Sequence, residues 1–192
     1  MYSGGLDSLC MLYKLLTEPE YADYRVHVHH IHMINIENRH KAEAEKVHQA
    51  LQTLAKRGYD FGYSESSITS PAYQVGENML AFMYDWDVVR FFAGWIASVN
   101  PEICKIAIGR VQEDLAPDMQ TKVQVGAQIM RLYTDAEVIF PMTNMDKGQA
   151  YAQLPDWLRD KFWSCRMPVY TDGVISRCNK CDTCQQLQAA GL

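Results

Sequence analysis

No stretch of the sequence is apolar over enough residues to cross a bilayer, and no export signal is visible. The chain therefore reads as soluble and cytoplasmic, with no membrane partner. Positive charge is also in short supply: 18 Lys and Arg stand against 23 Asp and Glu, a net charge of −5. A protein that wraps nucleic acid non-specifically needs a basic face, so stable nucleic-acid binding is not expected; a small anion held by backbone amides is compatible with this charge. Cysteine is scarce before Cys165. Only Cys10 and Cys104 occur there, each in an apolar pattern that reads as a buried free thiol. Repeats and low-complexity tracts are missing too. What remains is an ordinary globular composition, 48% hydrophobic and 21% charged over 192 residues, which predicts one domain, 1–192, with a sizeable core.

Apolar periodicity divides the chain into alternating strands and helices. Leu9, Leu12, Tyr13 and Leu16 recur at helical spacing, and Glu18-Pro19-Glu20 ends that helix. Val26 to Asn35 is a β-rich run. Residues 41–57 form a second helix with Ala44, Val47, Leu51, Leu54 and Ala55 on one face, stopped by Gly58. Phe61 to Ile68 reads as a strand, and Asn78 to Val99, apolar nearly all round, as a buried helix. Ile103 to Gly109 and Glu137 to Pro141 are short strands, with a helix near 118–132 between them. Short helices over 147–154 and 155–162 lead to the C-terminal tail, where 167–177 reads as a loop. The alternation predicts an α/β fold, a doubly wound parallel sheet of about five strands. His27, His29, His30 and His32 share one strand, two to each face, and read as hydrogen-bonded strand residues in preference to a metal site.

Ser3-Gly4-Gly5-Leu6-Asp7-Ser8 has the parts of an anion cradle. Two glycines allow close backbone approach and unusual dihedrals. The first amides of the following helix point at one spot, where the helix dipole adds positive potential. Ser3 and Ser8 add hydroxyls, and Asp7 suits either a helix cap or Mg²⁺ placement. No Gly-Lys-Ser/Thr follows, so this is not a Walker loop. At the other end, Cys178, Cys181 and Cys184 are spaced C-x₂-C-x₂-C, with Cys165 upstream. Four thiolates suit a closed tetrahedral Zn²⁺ site in a segment spanning 163–192; an iron–sulfur cluster is the rival occupant.

The glycine turn resembles the PP-loop of the N-type ATP pyrophosphatases, whose Rossmann-like (HUP) fold carries ATP cleavage between the α and β phosphates. The loop combined with the cysteine tail resembles the 7-cyano-7-deazaguanine (preQ0) synthase family within it. Further matches are Asn38 to Glu43, Ile108-Gly109 with Glu113-Asp114, Pro117-Asp118, and Pro141-Met142 with Lys147. Ala116 and Met119 depart from the family pattern around Pro-Asp. The resemblance implies a ligase using ATP, Mg²⁺ and ammonia to turn 7-carboxy-7-deazaguanine, by way of an adenylate, into the nitrile used in queuosine biosynthesis. It implies ATP binding by Ser3, Gly4, Gly5, Leu6, Asp7, Ser8 and Gly109, with Ser3, Asp7 and Lys147 in catalysis. Arg39, His40, Glu113, Asp114 and Asp118 would meet the deazapurine substrate, and a homodimer is implied. Two alternatives stay open: another adenylating PP-loop enzyme, acting on a tRNA base or a different carboxylate, and a non-catalytic nucleotide-binding module. In the superfamily the loop follows a central first strand. Here Met1-Tyr2 reads as the end of one, so the chain either starts at an internal methionine, the favoured reading, or nearly lacks that strand.

Overall fold

A computed structural model describes residues 1–35, 37–69, 73–75, 78–80, 85–112 and 117–192, with backbone alone at 73–75, 78–80, 85 and 117–123. The fold is mixed α/β. Helix α1 (Leu6–Thr17) follows the glycine turn, and strand β1 (His27–Ile34) follows it in turn. Helix α2 (His40–Lys56) then leads to β2 (Gly62–Thr69), which pairs parallel to β1, His27 opposite Gly62 and Ile34 opposite Thr69. Gly58, at φ +87°, lets the chain leave α2 in a conformation that a side chain would resist. Further on, β5 (Lys105–Ala107) and β6 (Glu137–Ile139) form a second parallel pair, separated by α4 (Pro117–Arg131). The first two residues touch both pairs. Tyr2 N–H donates to His29 O (2.9 Å), and the Met1 amino group donates to Ala107 O (3.0 Å). Leu9, Val47, Leu54, Met142 and Leu158 are fully buried in the main core, which joins α1, α2 and α5 (Lys147–Gln153). Among the described residues, no helix is long and apolar enough to cross a membrane.

Several sequence expectations need correction. The span 78–99 is not one helix: β3 (Tyr73–Val75) and β4 (Asn78–Leu80) pair antiparallel, and α3 (Asp85–Ser98) begins only afterwards. Nor is α3 buried all round, since Phe91 and Trp95 are exposed. Its apolar composition exceeds what packing against α4 covers. Cys104 is exposed, because it precedes β5 and falls outside its buried register. Ala55 is exposed and Ala44 half-buried, while Glu43 and Ala50 join the inner face of α2. Residues 155–162 form turns, and 167–177 hold a hairpin, β7 (Val169–Thr171) with β8 (Val174–Ser176). Asp172-Gly173, both at positive φ, close it as a two-residue turn, the signal that a plain-loop reading overlooked.

The histidines of β1 do segregate by face. His30 and His32 meet edge to face, with centroids 4.6 Å apart, while His27 and His29 both reach Ser64 Oγ. His30 is buried. Its Nδ1 donates to Tyr2 O (2.9 Å), so Nε2 is the unprotonated nitrogen, and it meets no partner among the described residues. Burial holds the ring's pKa down at about 4. The unfolded chain binds this proton below about 6.5 and the folded chain does not, so stability is complete above that pH and falls as pH drops toward 4. The expected loss is about 2 kcal/mol by pH 5 and about 3 kcal/mol by pH 4. Urea unfolding at pH 7 and pH 5 measures it, and a His30→Gln protein should show a flatter slope. Equal stability at the two pH values would sink the assignment.

Candidate functional site

The cradle is built where α1 meets α2, β5 and the tail. Gly4 sits at φ +81°, and a Cβ there would stand 2.9 Å from Val47 Cγ2 and 3.2 Å from Glu43 O. Only glycine lets the turn lie on α2. Gly5, the N-cap of α1, has no side chain to satisfy the first helical amides, so acceptors come from elsewhere. Gly5 N–H donates to Ser3 Oγ (3.3 Å) and Leu6 N–H to Ser164 Oγ (3.2 Å). Ser8 Oγ donates to Gly5 O (3.0 Å) and lies 3.1 Å from Ser3 Oγ. Gly109, just after β5, presses on the same turn. A Cβ there would stand 2.9 Å from Asp7 C, Asp7 O and Ser8 Cα. All three are fixed atoms, so Gly109→Ala must push β5 and α1 apart. We expect it to lower stability by about 2 kcal/mol, with a melting temperature that falls accordingly; an unchanged melting temperature would refute the close approach.

Lys147 opens α5 and is buried. A reciprocal capping box fixes its position: Gln149 N–H donates to Asp146 Oδ1 (2.7 Å), and Asp146 N–H donates to Gln149 Oε1 (3.0 Å). Its Nζ donates to Asp7 Oδ2 at 2.8 Å. Across the site, Arg39 pairs with Glu37 (2.8 Å) and Glu43 (3.2 Å), and Arg166 donates twice to Glu37 Oε1 (2.9 and 2.7 Å). Lys147, Asp7, Arg39, Glu43 and Arg166 line a cavity of about 270 Å³. Of the residues expected from sequence, Ser3, Gly5, Leu6, Asp7, Ser8, Arg39, Gly109 and Lys147 line it. Gly4 does not; its carbonyl accepts from Trp163 N–H instead (2.8 Å). His40 does not either. It starts α2, half-buried, with burial lowering its pKa. Glu113 and Asp114 lie outside the described residues, and Asp118 lies in α4 where only the backbone is described.

Further residues that were given no site role from the sequence line it as well. Trp163, Ser164 and Arg166 form a wall, and Trp86 and Val89 add an apolar side from α3. Glu43 on the inner face of α2 also reaches the cavity. One signal was available: a glycine N-cap leaves amides to be satisfied by a distant acceptor.

Cys165, Cys178, Cys181 and Cys184 converge at the tail, their Sγ atoms all within 4.8 Å of one another. Cys184 lies in α6 (Asp182–Ala189), and Cys181 is its N-cap. Asn179, at φ +57°, turns the chain so that Cys181 N–H reaches Cys178 Sγ (3.4 Å); Cys178 N–H reaches Cys165 Sγ (3.2 Å). Ligands about 2.3 Å from one tetrahedral ion stand about 3.8 Å apart; Cys178 and Cys184 are at 4.0 Å. The cluster thus suits a metal ion. Burial raises the thiol of Cys165 and lifts Cys184 to about 12, while a backbone hydrogen bond at Lys180 lowers Cys178. Metal binding must displace these protons, so affinity should weaken in acid. No protein-family model matches the chain, and no curated protein matches it.

Proposed function

We propose that the protein is an ATP-dependent ligase that converts 7-carboxy-7-deazaguanine and ammonia to 7-cyano-7-deazaguanine through an adenylated intermediate. One observation carries the reading. The Ser3–Ser8 turn, Arg39 and Lys147, distant in sequence and picked out separately by the resemblance, converge on one cavity. The finer fold belongs to the same proposal: a doubly wound sheet in the order β2-β1-residues 1–2-β5-β6. Its support is the pair of hydrogen bonds from Met1 and Tyr2 to the flanking strands.

In this reading the substrate carboxylate attacks the α-phosphorus of ATP. The backbone amides of the Ser3–Ser8 turn receive the charge that builds on departing pyrophosphate, with Lys147 behind them. Ammonia then displaces AMP to give the amide. A second ATP adenylates the amide oxygen with release of pyrophosphate, and loss of AMP, carrying that oxygen, together with the remaining amide proton gives the nitrile. Arg39 supplies positive charge at the far wall, and Trp86 with Val89 offers the apolar surface that a purine-like ring requires. Mg²⁺ would bind chiefly to phosphate oxygens, with Asp7 and Glu43 as the cavity's carboxylates. The four cysteines would hold zinc as a structural ion. Their close Sγ spacing favours a single ion over an iron–sulfur cluster, which spreads its thiolates over separate irons.

Mass spectrometry of a reaction containing the protein, ATP, Mg²⁺, ammonium and 7-carboxy-7-deazaguanine tests the proposal. The nitrile together with AMP is the expected result. AMP without the nitrile would keep the adenylating chemistry and reject this substrate. No nucleotide turnover would reject the ligase.

A further inference from the structure

The tail meets the cradle through one hydroxyl. Ser164 lines the cavity and accepts the Leu6 amide at 3.2 Å. Accepting leaves its own hydrogen available, and no described residue takes it. The other cradle hydroxyls are committed differently. Ser8 donates to Gly5 O, which leaves Ser3 to donate to Ser8 across their 3.1 Å contact. Ser164 is also held from both sides. Trp163 N–H donates to Gly4 O (2.8 Å), and Trp163 Nε1–H donates to Cys165 O (2.8 Å). Cys165 itself is buried in the four-thiol cluster.

We propose that Ser164 is an anion-binding residue: while accepting from Leu6 N–H, it donates to an oxygen of the pyrophosphate group held by Ser3–Ser8, and the cysteine cluster holds it in place. The inference rests on reading that turn as a pyrophosphate cradle. An amide donating into the hydroxyl oxygen polarises the O–H, and a hydroxyl bonded to an anion is among the stronger hydrogen bonds. The loop motif alone specifies donors from α1 and its own serines. Ser164 adds one from a segment more than a hundred residues away, which makes the metal tail part of the binding site as well as an anchor.

Isothermal titration of inorganic pyrophosphate with Mg²⁺ into metal-loaded wild type, Ser164→Ala, Ser164→Thr and Ser164→Val provides the test. Thr and Val share a shape and differ in the hydroxyl. Affinity is expected to fall about tenfold in Ala and Val and to stay within about threefold of wild type in Thr. Wild-type binding with Thr and Val equal to each other would overturn the inference and leave the cradle standing. No pyrophosphate or ATP binding by wild type would overturn the cradle reading itself, and this inference with it.

Discussion

Cys184→Ser is expected to abolish metal binding at the four-cysteine cluster and to lower stability more than Gly109→Ala or Lys147→Met. Past Arg166 the tail has few other anchors: Tyr170 Oη donates to Asn38 O (2.6 Å) and Leu187 enters the main core. Both strands of the β7–β8 hairpin are largely exposed, and α6 buries only Cys184 and Leu187. A structural zinc supplies about 10–16 kcal/mol of apparent binding free energy in small zinc modules, and that energy is folding energy where no preformed core exists. Losing one buried thiolate from a four-thiolate site removes most of it. The segment Trp163–Arg166 should then lose its anchor at Cys165 and be held to the cradle only by Trp163 N–H to Gly4 O, Leu6 N–H to Ser164 Oγ and Arg166 to Glu37. Elemental analysis of wild type should give one zinc per chain and no visible absorption from iron–sulfur. The Cys184→Ser protein should lack zinc, unfold at a markedly lower temperature and be cut by protease within 167–177. A wild type that retains its melting temperature in excess chelator would remove the metal from the account of stability.

How much of this was legible in the sequence follows from which physical signals are local. The glycine turn and the cysteine spacing are short-range patterns, and the structure brings the members of each together. The runs read as strands at 26–35, 61–68, 103–109 and 137–141 contain the parallel strands 27–34, 105–107 and 137–139 and overlap 62–69, although 62–69 itself is mostly polar. The start of α3 was not visible. Met79 and Leu80 are as apolar as the helix that follows, and composition alone does not separate a short strand from a helical turn. Long-range partners were hidden for a different reason. Ser164 sits beside a cysteine, so its local pattern speaks for the metal. Its contact with Leu6 depends on the tail folding back over the cradle, and no periodicity encodes that. Glu43 belongs to the matched run Asn38 to Glu43, but helical periodicity counts apolar residues and does not place it on the buried face; its pairing with Arg39 does.

Lys147→Met should abolish pyrophosphate binding and lower stability by about 3 kcal/mol, and the two losses should be separable. The lysine is buried, and its Nζ lies 2.8 Å from Asp7 Oδ2. Removing the ammonium leaves a carboxylate at the base of a cavity without its compensating charge. Breaking a buried pair from one side costs about 3–5 kcal/mol. Asp7 keeps about a quarter of its side chain exposed, at 24%, which favours the lower end of that range. Replacing both partners by neutral residues of similar shape is often close to neutral. The double variant Asp7→Asn with Lys147→Met should therefore regain most of the lost stability, ending within about 1 kcal/mol of wild type. It should not regain anion binding, because the buried positive charge is still missing. Urea unfolding and pyrophosphate titration on the two single variants and the double variant form one cycle. Recovery of both properties in the double variant would make Lys147 a structural partner of Asp7 alone. Recovery of stability without binding would assign the lysine to the anion, with Asp7 as the group that keeps its charge in a buried place when the cavity holds no ligand.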